Sequence, residues 1–258
     1  ADILLASGMH CLGCVMASGE NLEQACAVHG IDADALAAKL NVRMAVAHLR
    51  GIPYDGHVAV NRESLHPFRL AGSPLVLAHN GDLADFGAMR FDLLDYIRPE
   101  IARAIPAMTD SAWLHALVLS GLDDPAGPFT ADEILRAVER ALTAIRKVRD
   151  RIGIRRSSSV NLTIADGRNL VGVRFTFDFG VFDKPPFQGG VEFLSLWYTL
   201  GARYGFADGE WKMTGGDGAA TIIASEPLTR DVSTWAEVPE YGALLVEGAR
   251  RRVAALDI

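Results

Sequence analysis

The chain has few cysteines, no long apolar run and no concentration of basic residues. Three cysteines in 258 residues are too few for a scaffold built on disulfides. No window approaches the roughly 18 consecutive apolar residues of a membrane span, and the first residues lack the basic region and apolar core of a secretory signal. The net charge of −7 argues against nucleic acid or an anionic membrane as the main partner, because phosphate binding needs clustered Lys and Arg. We therefore expect a cytoplasmic protein with neither a nucleic-acid nor a membrane partner.

Half of the residues are hydrophobic, so the chain can bury a substantial core in one large domain or two smaller ones. Helix caps at Asn21 and Asp32 and helix stops at Gly8 and Gly30 predict a small all-α unit over residues 1–41. In the second predicted domain, residues 42–258, several strands surround two or three long helices. That pattern predicts an α+β fold, a layered sandwich of two sheets flanked by helices.

Cys11 and Cys14 form a C-x-x-C pair at the start of a predicted helix, where the backbone dipole favours a thiolate. Three interpretations are open: a redox dithiol, a tetrahedral zinc site completed by Cys26 and His29, and a structural role. The phrase G-M-H-C-L-G-C, followed by N-L-E-Q-A-C-A-V-H-G-I-D, resembles the small redox disulfide domain associated with hybrid-cluster proteins. The resemblance implies a redox-active Cys11–Cys14 pair, and we predict no bound metal.

Residues 75–83, L-V-L-A-H-N-G-D-L, are the stretch around which the rest is organised. Four apolar residues predict a short buried strand, and His79, Asn80, Gly81 and Asp82 then predict a sharp turn. One interpretation is simply a hairpin turn, because Asn-Gly is the commonest tight-turn pair. The other is a catalytic corner, in which the Asn80 side-chain amide and the Gly81 backbone N–H point at one spot and stabilise an oxyanion.

Four further motifs accompany this stretch. They are A-H-L-R at residues 47–50, L-H-P-F at 65–68, T-D-S at 109–111 and A-S-E-P-L at 224–228. Taken in order with A-H-N-G, they resemble class II glutamine amidotransferases, which are N-terminal-nucleophile hydrolases, and most closely their small stand-alone bacterial type. The resemblance covers about residues 42–247 and implies the αββα sandwich of those hydrolases.

The resemblance also implies roles for the matching residues. Asn80 and Gly81 would be the catalytic oxyanion donors. Arg50 would bind the α-carboxylate of glutamine through its planar guanidinium, and Asp110 would bind the α-ammonium. The alternatives that the residues themselves leave open are a surface ion pair for Arg50 and a helix N-cap for Asp110. An acidic residue commonly follows T-D-S in the family, but this chain has Ala112.

His66 and His79 complete the predicted substrate-binding set. The resemblance places His66 in the family's H-P element beside the site, although a structural histidine is an equally good interpretation. The implied partners are glutamine and either an ammonia-accepting substrate or a synthase. No cofactor is implied, and formation of a homo-oligomer is left open.

One part of the family's machinery is not found in the sequence. A class II glutaminase uses a cysteine thiol whose own free α-amino group is the base, so this cysteine is the first residue of the mature chain. Position 1 here is Ala1, and we expect the nucleophile to be missing from this chain. Two hypotheses follow: an amidotransferase-type enzyme, and a non-catalytic redox-responsive binding or regulatory protein with a degenerate glutamine pocket. Glutamine hydrolysis distinguishes them.

The remaining pattern predicts individual elements. Helices are predicted over residues 91–101, from Thr109 or Asp110 to about Leu122, and from a capping box at Thr130–Glu133 to Gly153. The serines at 157–159 are predicted to lie in a loop and Arg250–Arg252 on a solvated helix face. Strands are predicted over residues 42–48, 160–164, 170–177, 193–200 and 221–224, with a final strand over 243–247.

Overall fold

The computed structural model describes residue 30 and residues 44–48, 62–179, 195–207, 209–216 and 218–258. The chain divides into two compact units, Ala1–His66 and Pro67–Ile258. In the first unit, residues 44–48 form neither helix nor strand, and Arg62–Ser64 is a short 3-10 helix. The strand predicted over residues 42–48 is therefore wrong in its described part. Apart from Gly30, the predicted all-α unit over residues 1–41 lies outside the described residues.

The described part of the second unit contains four α-helices and twelve strands. The helices are α1 (Phe86–Met89), α2 (Pro99–Ala102), α3 (Asp110–Gly121) and α4 (Ala131–Ile152). The strands are β1 (Phe68–Arg69), β2 (Val76–Gly81), β3 (Ser158–Ala165), β4 (Asn169–Arg174), β5 (Thr176–Phe177), β6 (Trp197–Gly201), β7 (Arg203–Ala207), β8 (Glu210–Thr214), β9 (Ala220–Ala224), β10 (Ala236–Glu237), β11 (Gly242–Glu247) and β12 (Arg250–Ala255).

The two long helices begin and end where the sequence predicts. Thr109 is the N-cap of α3, and its side chain accepts a hydrogen bond from the Ala112 backbone N–H. At the start of α4, Thr130 and Glu133 form the predicted capping box, and Gly153 ends the helix with φ +77°. Because these signals act within a single helical turn, they operate without help from the rest of the fold.

All strand pairs found in the described part of the chain are antiparallel, and the largest sheet there has seven strands. Its order is β1-β2-β3-β4-β11-β12, with β5 also paired to β3. Helix α4 packs on β4 and β11 and against α3 on one face of this sheet. On the other face, a Cβ at Gly172 of β4 would meet Ile223 of β9, and Asn161 of β3 donates to the carbonyl of Ser195, two residues before β6.

The smaller sheet, β10-β6-β9, therefore covers the face of the large sheet that the helices leave open. Helices, large sheet and small sheet form three successive layers, and the main hydrophobic core lies between the helices and the large sheet. This arrangement confirms the predicted α+β class. Within the described residues, no helix has the length and apolar character needed to cross a bilayer.

Four further local predictions, all in the second unit, are wrong. The segment over residues 91–101 is a 3-10 helix, Asp92–Tyr96, followed by α2, because Pro99 holds Arg98 in an extended conformation. Arg250 to Arg252 lie on strand β12 rather than on a helix, so β11 is not the final strand. Ser158 and Ser159 belong to β3 rather than to a loop. The chain does not turn at Asn80-Gly81, because β2 continues through Gly81.

His115 in α3 is fully buried, which predicts a specific acid sensitivity. Burial lowers the pKa of His115 to about 3, and the nearby Leu75 backbone opposes the shift only in part. Below about pH 6.5 the unfolded chain protonates this ring while the folded chain does not, so stability falls as the pH falls from 6.5 toward 3. The slope is at most about 1.4 kcal/mol per pH unit.

We expect His115→Leu to remove this contribution. Between pH 7 and pH 5 the wild-type chain should lose about 2 kcal/mol more free energy of unfolding than the variant. Urea unfolding of both proteins at the two pH values measures the difference. Equal losses in the two proteins would show that His115 does not titrate on unfolding in this range.

Candidate active site

The pairing of β2 with β3 determines where the Gly81 backbone N–H points. The register places Asn80 opposite Asn161 and Gly81 opposite Val160. Asp82 N–H donates to the Ser159 carbonyl at 3.1 Å, so this pair is hydrogen-bonded, and Val160 N–H donates in the other direction, to the Phe175 carbonyl at 2.7 Å. Because hydrogen-bonded and non-hydrogen-bonded pairs alternate along an antiparallel ladder, the Gly81 N–H is directed away from β3.

Asn80 has a side chain on the sheet face opposite the helices. Directly opposed residues share a face, and its partner Asn161 reaches toward the smaller sheet through its bond to the Ser195 carbonyl at 3.0 Å. The Asn80 side chain is half-buried. Among the described residues, no hydrogen bond to its carboxamide is found, so its two N–H donors are available to a ligand.

Gly81 occupies a position that admits no side chain. Its φ is +148°, and a Cβ there would lie 2.0 Å from the Ser159 carbonyl oxygen and 2.6 Å from the Ser159 hydroxyl. A real Cβ never approaches a backbone oxygen so closely. Glycine is therefore required here for close packing of β2 on β3, rather than for the tight turn that the Asn-Gly pair predicts.

The three amides after Gly81 are each held by a different group. Asp82 N–H donates to the Ser159 carbonyl, Leu83 N–H donates to Asp110 Oδ2 at 2.9 Å, and Ala84 N–H donates to Ser158 Oγ at 2.9 Å. This run of contacts fixes the backbone that leaves β2. Ser158 and Ser159, which were not predicted as site residues, supply two of the three acceptors, and no local pattern in the sequence indicates this use.

Asp110 is the first residue of α3 and lies at the end of β2. Its Oδ1 accepts from the backbone N–H of Ser111 at 2.7 Å and from the Ser111 hydroxyl at 3.1 Å, while Oδ2 accepts only from Leu83 N–H among the described residues. A carboxylate oxygen accepts two hydrogen bonds, so Oδ2 retains capacity for a ligand. Asp110 is not the N-cap that the sequence left open as an alternative, since Thr109 has that position.

Asp82 adds a second carboxyl group next to Asp110. Desolvation and the negative charge of Asp110 both raise the pKa of Asp82. A cationic ligand beside these two carboxyl groups would relieve the repulsion between them.

His79 lies on the helix side of β2 and is 2 % exposed. Its Nδ1 is 3.0 Å from the Ser111 hydroxyl, and its Nε2 is 3.2 Å from the Ser159 carbonyl oxygen. Both ring nitrogens are thus engaged by the protein. The ring connects α3, through Ser111, with β3, through Ser159.

Arg149 of α4 lies behind the same region and is fully buried. Its guanidinium donates to Ser158 Oγ at 2.8 Å, to Asp178 Oδ2 at 2.9 Å and to the Arg156 carbonyl. Burial raises the pKa of Asp178, but the hydrogen bond from Arg149 and the charge of Arg146 outweigh it and hold the pKa below its usual value. Asp178 is therefore the ionised partner of this buried cation.

The other predicted residues lie either outside the described residues or in the first unit. Arg50, Cys11 and Cys14 lie outside the described residues, as do Cys26 and His29 of the alternative zinc set. His66 belongs to the first unit, where its ring lies 4.2 Å from that of His48. Within the described ranges, no group of three or more His, Cys, Asp or Glu side chains is placed to hold a metal ion.

Comparison with known proteins gives two family matches. Residues 22–255 match the model described as "Glutamine amidotransferases class-II". Residues 1–37 match the model described as "Domain of unknown function (DUF1858)". The second match covers nearly the same residues as the predicted N-terminal unit.

Two individual proteins are similar over most of the chain. The "Probable glutamine amidotransferase DUG3" of Saccharomyces cerevisiae is 27% identical over 227 residues, which are 82% of this chain and 59% of the yeast protein. The chain thus spans less than two thirds of that relative. A solved glutamine aminotransferase class-II domain protein from Silicibacter pomeroyi is 22% identical, with a TM-score of 0.51, over 77% of this chain and 74% of its own. At that identity the likeness concerns the fold alone.

Proposed function

Because this chain belongs to the class II glutamine amidotransferases, we propose that it binds glutamine at the end of β2 and stabilises the oxyanion formed when the side-chain amide is hydrolysed. The observation that carries the proposal is the β2–β3 register, which directs the Gly81 N–H away from β3. The adjacent Asn80 carboxamide has no hydrogen bond among the described residues. Oxyanion stabilisation requires preorganised donors, and the strand pairing fixes the backbone that carries one of these two.

The substrate's α-ammonium binds Asp110 in this proposal. The open acceptor capacity of Asp110 Oδ2 and the neighbouring Asp82 carboxyl favour a cation at this place. Arg50 is proposed to bind the α-carboxylate, as the family resemblance implies. His79 is proposed to position the site through Ser111 and Ser159 rather than to contact substrate, because both of its ring nitrogens are already engaged. His66 remains a proposed neighbour of the substrate.

The reaction proposed is hydrolysis of the glutamine amide, with the ammonia released or passed to an acceptor substrate or a synthase. The attacking group is a thiol in class II chemistry. All three cysteines of the chain lie outside the described residues, so the proposal concerns glutamine binding and oxyanion stabilisation and assigns the nucleophile to no residue. We propose a cytoplasmic location, which the reducing chemistry of free thiols suits.

A second candidate function is favoured by the match of residues 1–37 to a separate family model. In this alternative, Cys11 and Cys14 form a dithiol whose redox state regulates a degenerate, non-hydrolytic glutamine pocket. It differs from the first candidate in one measurable respect, because it requires no turnover.

Turnover of glutamine by the full chain tests the proposed function. The enzymatic candidate predicts that ammonia and glutamate are released in equal amounts from glutamine. It also predicts that asparagine releases ammonia at least about tenfold more slowly, because its shorter side chain holds the amide away from the oxyanion donors once the α-ammonium is bound. Release that equals the rate in buffer alone would exclude the enzymatic candidate and favour the regulatory one.

A further inference from the structure

Arg149 is the largest side chain that is fully buried in the described residues. A guanidinium removed from water requires strong compensation, and the ion pair with Asp178 at 2.9 Å supplies part of it. The same guanidinium makes a further hydrogen bond that is not part of this ion pair. Its Nη1 donates to Ser158 Oγ at 2.8 Å.

Ser158 Oγ connects Arg149 to the backbone that follows Gly81. The hydroxyl oxygen accepts from the Arg149 guanidinium and from the Ala84 N–H, so both of its acceptor positions are used. Ser158 and Ala84 are both buried. The result is a continuous relay of guanidinium, hydroxyl and amide that joins α4 to the segment leaving β2.

The relay completes a set of three anchors on successive amides. Asp82 N–H is held by the Ser159 carbonyl, Leu83 N–H by the Asp110 carboxylate, and Ala84 N–H by Ser158. The Ser158 hydroxyl is the anchor that, without Arg149, rotates about its own χ1 angle. A charged donor fixes its orientation, since charge-assisted hydrogen bonds are about twice as strong as neutral ones.

We propose that Arg149 is a positioning residue, which acts through Ser158 to hold residues 82–84 and so keeps the Gly81 N–H aimed at the reacting carbonyl. The inference rests on the proposed function, because the orientation of the Gly81 N–H affects the reaction only if this group donates to an oxyanion. It assigns Ser158 to the same relay. Neither side chain contacts the substrate.

Arg146 provides a matched control within the same cluster. It also pairs with Asp178, at 3.0 Å, and its guanidinium lies 4.8 Å from the Phe177 ring centre, against 5.0 Å for Arg149. No hydrogen bond joins Arg146 to Ser158 among the described residues. Loss of Arg146 therefore tests the ion pair and the aromatic contact without touching the relay.

The test compares Ser158→Ala, Ser158→Thr and Arg146→Met with the wild-type chain. The readouts are kcat and KM for glutamine and the hydrogen-exchange rate of the Ala84 amide. We expect Ser158→Ala to lower kcat about tenfold or more, to change KM less than about twofold and to speed Ala84 exchange about tenfold, because a misplaced donor weakens transition-state binding selectively. Ser158→Thr keeps a hydroxyl, so its kcat and its Ala84 exchange rate should stay within about threefold of the wild-type values. Arg146→Met should keep kcat and the Ala84 exchange rate within about twofold of the wild-type values.

Several outcomes overturn the inference. Ala84 exchange at the wild-type rate in Ser158→Ala would mean that no relay exists, and faster exchange with unchanged kcat would mean that it does not serve catalysis. If Ser158→Ala does not fold, Arg149→Lys replaces it in the test. The lysine ammonium cannot bond Ser158 and Asp178 at the same time, as the forked guanidinium does. A wild-type kcat and a wild-type Ala84 exchange rate in that variant would contradict the proposal equally. If the wild-type chain releases no ammonia from glutamine, the proposed function fails, while the Ala84 exchange rates still decide whether the relay exists.

Discussion

Replacing Gly81 by alanine is expected to lower the free energy of unfolding by about 3 kcal/mol and to remove glutamine turnover. The added Cβ would lie 2.0 Å from the Ser159 carbonyl oxygen, a backbone atom that cannot rotate away, so the end of β2 must separate from β3. Overpacking and an unfavourable positive φ each contribute about 1 to 3 kcal/mol. For a chain of this size the melting temperature should fall by roughly 6 to 12 °C.

Two other glycines separate the causes of this loss. Gly153→Ala also places alanine at a positive φ, +77°, but in open space, so it reports the backbone strain without a clash. Gly87→Ala adds a Cβ in open space within α1 at no positive φ, and should be neutral or slightly stabilising. Thermal unfolding of the three variants measures the differences. If Gly81→Ala is no less stable than Gly153→Ala, the end of β2 can shift at low energetic cost to admit a Cβ. The inference that the orientation of the Gly81 N–H is fixed would then be wrong.

The parts of the fold that the sequence predicted correctly are those encoded within a few residues. The capping box at the start of α4 is an example, since Thr130 N–H donates to Glu133 Oε2 at 2.8 Å and Glu133 N–H donates to Thr130 Oγ1 at 3.2 Å. The break at Pro99 could also have been predicted, because proline restricts the residue before it. The prediction followed the helical spacing of the apolar residues in 91–101 and disregarded Pro99, so it gave one helix instead of two short ones.

The errors at Asn80-Gly81 and at Arg250–Arg252 have a different origin. In both cases a neighbouring strand decides the backbone conformation: β3 holds Asn80 and Gly81 extended, and β11 pairs along the whole of β12. Asn80 and its partner Asn161 are 81 residues apart, so the local sequence of residues 79–82 does not indicate that this segment pairs with β3. Pairing partners distant in sequence override local turn propensity, which is a weak preference by comparison.

The same distinction applies to the candidate site. Motif resemblance drew attention to Asn80, Gly81 and Asp110, and the described structure relates all three to the end of β2. Ser158 and Arg149 were not identified, since their importance lies in hydrogen bonds to atoms that the sequence pattern does not distinguish. Supporting residues of this kind are recognisable only once burial and partners are known.

Asn80→Ala is expected to lower kcat for glutamine about 100- to 1,000-fold while leaving the stability of the fold nearly unchanged. Loss of one oxyanion donor removes roughly 2.7 to 4 kcal/mol of transition-state stabilisation. Because the bond is made only as the oxyanion forms, KM should change little. The folded state loses little, since the half-buried Asn80 side chain makes no hydrogen bond among the described residues and the β2–β3 ladder is formed by its backbone.

Thr163→Ala is the matched control for that variant, because Thr163 is half-buried on the same face of the sheet, opposite Ala78, and no hydrogen bond of its side chain is found in the described part of the chain. It should keep wild-type kcat. Asn80→Asp keeps the shape of the side chain but replaces both N–H donors by an acceptor carrying negative charge, and should be at least as damaging as alanine. Initial rates of glutamate formation over a range of glutamine concentrations give kcat and KM for each protein. Wild-type kcat in Asn80→Ala, with turnover established for the parent chain, would mean that the oxyanion is stabilised by groups other than this amide.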